Sequence, residues 1–116
     1  MQEVTPVKVA VIGSRSIKNA DISQYIPKEA TEIITGGAVG VDKLAEREAR
    51  IRNIPLTVYK PDYVSHGKTA PLIRNKLIAE SCDTLIAFWD GSSRGTVFTW
   101  RYAAKLGKPI KIYKLI

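Results

Sequence analysis

Five short apolar runs recur along the chain, each bounded by charged or small residues. They are Val7–Gly13 (VKVAVIG), Glu32–Gly37 (EIITGG), Leu56–Lys60 (LTVYK), Thr84–Trp89 (TLIAFW) and Pro109–Ile116 (PIKIYKLI). Continuous runs of this length, rich in Val, Ile and Leu, predict strands buried on both faces. Between them the period changes. Val41, Leu44, Ala45 and Ala49 recur at helical spacing, with Lys43, Glu46, Arg47 and Arg50 on the other face. Ala70–Cys82 and Thr96–Gly107 predict two further helices, and Gly107 followed by Pro109 supplies a stop for the last. A shorter helix is expected around Ile22–Ile26, before Pro27. Pro61–Pro71 (PDYVSHGKTAP) shows neither period and reads as a long connection of the kind that forms lids or binding loops.

Strand and helix patterns that alternate in this way predict an α/β, Rossmann-like fold. Its sheet is mostly parallel, has about five strands, and carries helices on both faces. The order 3-2-1-4-5 places the reversal of the sheet beside strand 1, where ligands bind outside the carboxyl ends of the strands. At 116 residues, 45% of them hydrophobic, the chain suffices for one domain spanning 1–116 and its core.

The net charge of +7 fits an anionic ligand or nucleic acid. The basic residues run from Lys8 to Lys114 without a block of five. That dispersal predicts a solvated basic surface rather than a dedicated nucleic-acid stripe, which makes nucleic acid the less favoured partner. No segment is long enough to span a membrane, and the N-terminus has no targeting pattern. Cys82, the single cysteine, excludes an internal disulfide and fits a reducing cytoplasm. Nothing in the sequence links Cys82 to His66, the single histidine, as nucleophile and base. No His/Cys/Asp cluster has metal-ligand spacing, and no cofactor is expected.

Candidate chemistry concentrates at three strand-to-helix junctions. The first is Gly13, Ser14 and Arg15 in "GSRS". The second, "TGGAVGVD", holds Gly36, Gly37, Ala38, Gly40 and Asp42. The third, "DGSSRGT", holds Asp90, Ser93, Arg94, Gly95 and Thr96. Turn geometry alone accounts for one glycine loop. Three beside one reversal point to a shared crevice in which helix N-termini offer bare amides to an anion, phosphate above all. Asp42 either stabilises its helix dipole or accepts hydrogen bonds from ribose hydroxyls. Its charge would repel a phosphate, so the phosphate is expected at Gly95–Thr96 instead. "HGKT" at His66–Thr69 has Asp62 at the first glycine position of a P-loop and Pro71 just after it, and "GSRS" lacks the spacing of the dinucleotide fingerprint.

Taken together, "GSR", "TGGAVGVDKLA", "HGKTAPLIRNKLI", "CDTLIAFWDGSSRGT" and "GKPI" resemble the SLOG superfamily. That group joins the DNA-processing protein A (Smf) family to the LOG-type phosphoribohydrolases. The small stand-alone YspA/YpsA-like branch is the nearest in pattern, and the likeness runs along nearly the whole chain. It implies a Rossmann-like fold that binds nucleotides or their derivatives. Against the LOG motif, Arg74 falls at the arginine position, Asp83 stands at the matching distance before the strand, and Gly95–Thr96 match the G-T pair. The motif's catalytic glutamate would fall on Thr99, which cannot exchange a proton in its place. The catalytic group is therefore unknown. Arg74 is read as a ligand-binding residue at a helix start, and Asn75 as either a ligand contact or a cap. Trp89, Phe98, Trp100 and Tyr102 are read as core or oligomer contacts.

The leading expectation is a domain that binds a nucleotide or nucleotide-derived molecule as sensor or carrier. A phosphoribohydrolase-like enzyme is the first alternative and a single-stranded DNA binder the second. The pattern is also compatible with a homo-oligomer.

Overall fold

A computed structural model describes residues 5–115. Among these residues five parallel strands form one sheet. They are β1 (Lys8–Gly13), β2 (Glu32–Thr35), β3 (Leu56–Val58), β4 (Thr84–Trp89) and β5 (Ile110–Lys114), in the order β3-β2-β1-β4-β5. The expected order is thus the observed one. The expected C-terminal run reached Ile116, which lies outside the described residues. Among the described residues four α-helices connect the strands: α1 (Val41–Arg52), α2 (Tyr63–His66), α3 (Ala70–Ser81) and α4 (Arg94–Lys105).

The runs lack in-out alternation because both faces of the sheet are covered. Successive residues of a strand point to opposite faces. Val9 and Val11 join Ile33, Ile86 and Phe88 in one cluster, against Val41, Ala45 and Ala49 of α1. Ala10 and Ile12 join Ile34, Leu85 and Ala87 in the other, against Ile78 and Ala79 of α3 and Ala103 of α4. Cys82 is buried in this second cluster.

Two local expectations need correction. Pro61–Pro71 is not an irregular loop. It holds α2 and a 3₁₀ turn, Gly67–Thr69, that runs directly into α3. The Asp62 carboxylate accepts the Ser65 amide at 3.1 Å and starts α2, a helix too short to show a period in sequence. The helix expected at Ile22–Ile26 is a 3₁₀ turn over Ser23–Tyr25. Arg52 clamps that turn by donating to the carbonyls of Ser23, Ile26 and Pro27 and to the Glu48 carboxylate. Among the described residues no helix is long and apolar enough to cross a membrane.

Candidate functional site

The carboxyl ends of β1, β2 and β4 open into a cleft of about 450 Å³. The loop after β1 contributes Gly13, Arg15 and Ser16, and the β2–α1 junction contributes Ala38 and Asp42. Arg74 and Asn75 enter from α3, and Asp90, Ser93, Gly95 and Thr96 from the β4–α4 junction. Ile12, Pro71, Ile78 and Thr99 complete the wall. Three junctions therefore meet at one cleft, with α3 as its fourth side. Ser14, Gly36, Gly37 and Arg94 were expected at the site and do not line the cleft.

Ser14 is fully buried and works on the frame. Its amide donates to the Phe88 carbonyl at 3.0 Å, and its hydroxyl accepts the Asp90 amide at 3.0 Å, which joins the ends of β1 and β4. Ser16 donates its hydroxyl to Asp90 Oδ2 at 2.6 Å. Asp90 Oδ1 accepts the amides of Ser92 at 2.8 Å and Ser93 at 3.0 Å. Hydrogen bonds from Ser16 first, then from Ser92 and Ser93, hold the Asp90 carboxyl far below the usual carboxylate range. Asp90 is thus an ionised hub that shapes the loop. Ser16 was missed as a site residue, although it closes the "GSRS" motif.

The glycines of the second junction divide by role. A Cβ on Gly40 (φ +83°) would stand 2.5 Å from the Ser14 carbonyl and 2.6 Å from that of Arg15. One on Gly37 (φ +75°) would stand 2.9 Å from Val58 Cγ1. Both positions need glycine for the fold itself. Gly36 sits between two charges. A Cβ there would meet Arg74 Nη1 at 2.7 Å and Asp42 Oδ2 at 2.9 Å. Gly95 differs from all three, since the nearest atom to its Cβ position is Asn75 Nδ2 at 3.9 Å. Its bare backbone faces the open cleft.

The helix α3 begins at Ala70, as expected, with Pro71 in its first turn, so Arg74 is its fifth residue and stands one turn in from the helix start expected for it. Buried to 7% exposure, it donates Nη1 to the Gly36 carbonyl at 2.6 Å and Nε to Asn75 Oδ1 at 2.8 Å. Asn75 therefore orients Arg74 and does not cap the helix. Asp42 is equally buried at 7% and accepts the Ala38 amide at 3.1 Å. Burial raises its pKa, while the Ala38 amide, Thr35 hydroxyl and Arg74 charge oppose the rise. Burial lowers the pKa of Arg74, and Asp42 opposes that change.

At α4, Ser93 is the N-cap. Its Oγ accepts the Thr96 amide at 3.4 Å and pairs with Thr96 Oγ1 at 2.8 Å. Thr96 therefore has its amide already engaged. The amides of Arg94 and Gly95 have no protein acceptor among the described residues, so they remain free to serve an anion at this helix start. Thr99 is 2% exposed and donates its hydroxyl to the Gly95 carbonyl at 2.8 Å.

Topology also gathers charges that look scattered in the sequence. In sheet order, Lys60 follows β3, Arg15 follows β1, Arg94 follows β4, and Lys114 ends β5. All four are exposed. Lys60 reaches back beside Gly37, and the Lys114 side chain lies over Gly91 in the β4–α4 loop. With strands about 4.8 Å apart, the row extends roughly 19 Å along the carboxyl rim. The rim also carries Asp42, Asp62 and Asp90, each of which accepts at least one backbone amide.

No family model and no curated relative matches this chain. Among solved structures it is similar to DNA processing protein A from Helicobacter pylori, whose structure describes a single-stranded DNA binding mode. The two share 25% identity with a TM-score of 0.70, over 93% of this chain. This chain spans 65% of the length of that one. The similarity agrees with the expected relation to the DNA-processing proteins and with the Rossmann-like architecture.

Proposed function

We propose that the protein binds single-stranded nucleic acid, with one nucleotide in the cleft and neighbouring phosphates along the basic rim. The observation that carries this reading is the row of Lys60, Arg15, Arg94 and Lys114 across the sheet edge. One phosphate or pyrophosphate needs far less than a rim of roughly 19 Å. The likeness to DNA processing protein A, a protein that binds single-stranded DNA, supports it. The same likeness supports membership of the SLOG group. This reverses the order of the sequence expectations, which ranked a free nucleotide first because the basic residues are dispersed along the chain. In this reading the amides of Arg94 and Gly95 hold a phosphate with Arg15, and Asp42 accepts a donor from sugar or base. The lone buried thiol of Cys82 suits a reducing cytoplasm.

The test is fluorescence anisotropy of a labelled oligothymidylate across a salt series. Binding should weaken linearly on a log–log plot, with a slope of about 0.7 per phosphate neutralised. Arg15→Ala and Lys60→Ala should each lower that slope. Salt-independent binding, or none, refutes the reading.

A second reading keeps a free nucleotide-derived ligand, with the protein as sensor or carrier. The deep floor formed by Asp42, Arg74 and Thr99 favours it, because it seats a single unit. Thermal stabilisation by a mononucleotide, without oligonucleotide affinity, would place this reading first. A nucleotide-hydrolysing role has less support, since Thr99 supplies no carboxylate at the resembled glutamate position.

A further inference from the structure

A second groove, of about 520 Å³, runs along the outer face of α4 beside the cleft. Arg94, Val97, Phe98, Arg101, Tyr102 and Lys105 line it at spacings of three and four residues, one face of the helix. Trp89 forms the upper wall. The opposite face of α4, with Thr96, Thr99 and Ala103, is buried.

This outer face combines two properties. The Phe98 and Tyr102 rings are nearly parallel, 7° apart with centroids at 6.3 Å, and both are half-buried. Trp89 is fixed by its Nε1–H, which donates to the Ser93 carbonyl at 3.1 Å, and by edge-on packing against Trp100. Arg94, Arg101 and Lys105 are exposed, and no carboxylate lines the groove. Lys76 of α3, outside the groove lining, stands with its Nζ 5.6 Å from the Tyr102 ring centre. A second copy docked about a two-fold axis would set these cations against one another. A polyanion that carries flat rings meets both properties: phosphates pair with the cations and bases stack on the aromatics.

Resting on the nucleic-acid reading above, we infer that the strand leaves the cleft over Arg94 and continues down this groove. Its bases stack on Phe98 and Tyr102, and its phosphates lie on Arg101 and Lys105. Arg94 is the pivot. Its neighbour Gly95 lines the cleft, and its own side chain lines the groove. The site for single-stranded nucleic acid is therefore longer than the cleft.

The experiment measures anisotropy for a dinucleotide and for a longer oligothymidylate. The proteins are the parent, Arg101→Ala, Tyr102→Ala, Tyr102→Phe and the cleft variant Arg15→Ala. Tyr102→Ala should weaken the longer probe roughly tenfold and leave the dinucleotide unchanged, with Tyr102→Phe restoring affinity. Arg101→Ala, at an exposed position, should lower the salt slope for the longer probe by about one contact. Arg15→Ala should weaken both probes. If both groove variants bind the longer probe as the parent does, while Arg15→Ala still weakens it, the groove inference fails and the cleft reading stands. If Arg15→Ala has no effect while the groove variants lose affinity, the cleft reading fails, and the continuous path with it. Sedimentation showing a dimer that Arg101→Ala dissociates would overturn the inference in favour of a second copy.

Discussion

Arg74 donates its Nη1 to the carbonyl of Gly36 at 2.6 Å, across 38 residues of sequence. The arginine that the sequence marks as a ligand contact is thus also a structural tie between α3 and the turn after β2. Arg74→Ala would strand that carbonyl and leave buried Asp42 without its compensating charge. The expected destabilisation is about 1–3 kcal/mol in urea denaturation. A variant as stable as the parent would show that the guanidinium serves only a ligand. Loss of binding in Arg74→Ala therefore mixes fold and site, and exposed Arg15 is the cleaner probe.

The glycines predict different phenotypes. Gly40→Ala combines a left-handed backbone with a clash against two carbonyls, so a loss on the order of 3 kcal/mol is expected. Gly107 has φ +79° but open space around its Cβ position, and Gly107→Ala should lose only about 1 kcal/mol. Gly95→Val should leave the melting temperature near that of the parent and abolish ligand binding, because its side chain grows into the cleft. Parallel thermal melts and titrations check all three. Unimpaired binding by Gly95→Val would place the ligand elsewhere.

Asp42 and Asp90 carry opposite pH signatures. Burial raises the pKa of Asp42 above its usual 3.8. Just above that value the native state binds more protons than the unfolded chain, so this group makes stability fall as pH rises through the window. Hydrogen bonds lower Asp90, so its stabilisation is present above 3.8 and is lost as pH falls towards its folded value. Relative to the parent, Asp42→Asn should gain melting temperature on moving from acidic to neutral buffer, and Asp90→Asn should lose it. Differences of the same sign in the two variants would contradict this assignment.

Cleavage of a nucleoside monophosphate at its glycosidic bond needs a carboxylate near the ribose. Thr99 instead uses its hydroxyl on the Gly95 carbonyl. Free-base release, followed by chromatography, should be no faster for the parent than for Arg15→Ala. Brisk release that disappears in Asp42→Asn would make Asp42 the working group and the protein a hydrolase.

Much of the frame was legible because buried parallel strands leave uninterrupted apolar runs, and because the crossover rules leave few orders for five of them. Of the residues marked at the three junctions, Gly13, Ser93, Gly95 and Thr96 line the cleft, whereas Gly37 and Gly40 serve the turn itself. Three features were not legible. A helix as short as α2 has no period to read. The tie from Arg74 to the Gly36 carbonyl spans 38 residues, and no local pattern reveals it. The basic rim combines residues as distant as Arg15 and Lys114, which only the strand order brings to one edge. Linear spacing of charge, used alone, therefore understated the case for nucleic acid.

The two margins of the sheet are unequally protected against self-templating. β3 offers three residues, and so short an edge strand is a poor template for a foreign one. β5 is longer and partly bare, with Ile112 exposed at 41%, and Lys111 and Lys114 stand exposed along it. Lysines on an open margin repel an incoming copy. The cation that completes the rim is therefore also one of the guards of that margin. Acetylating Lys111 and Lys114, or replacing both with neutral residues, would remove that guard and favour edge-to-edge association of copies through β5.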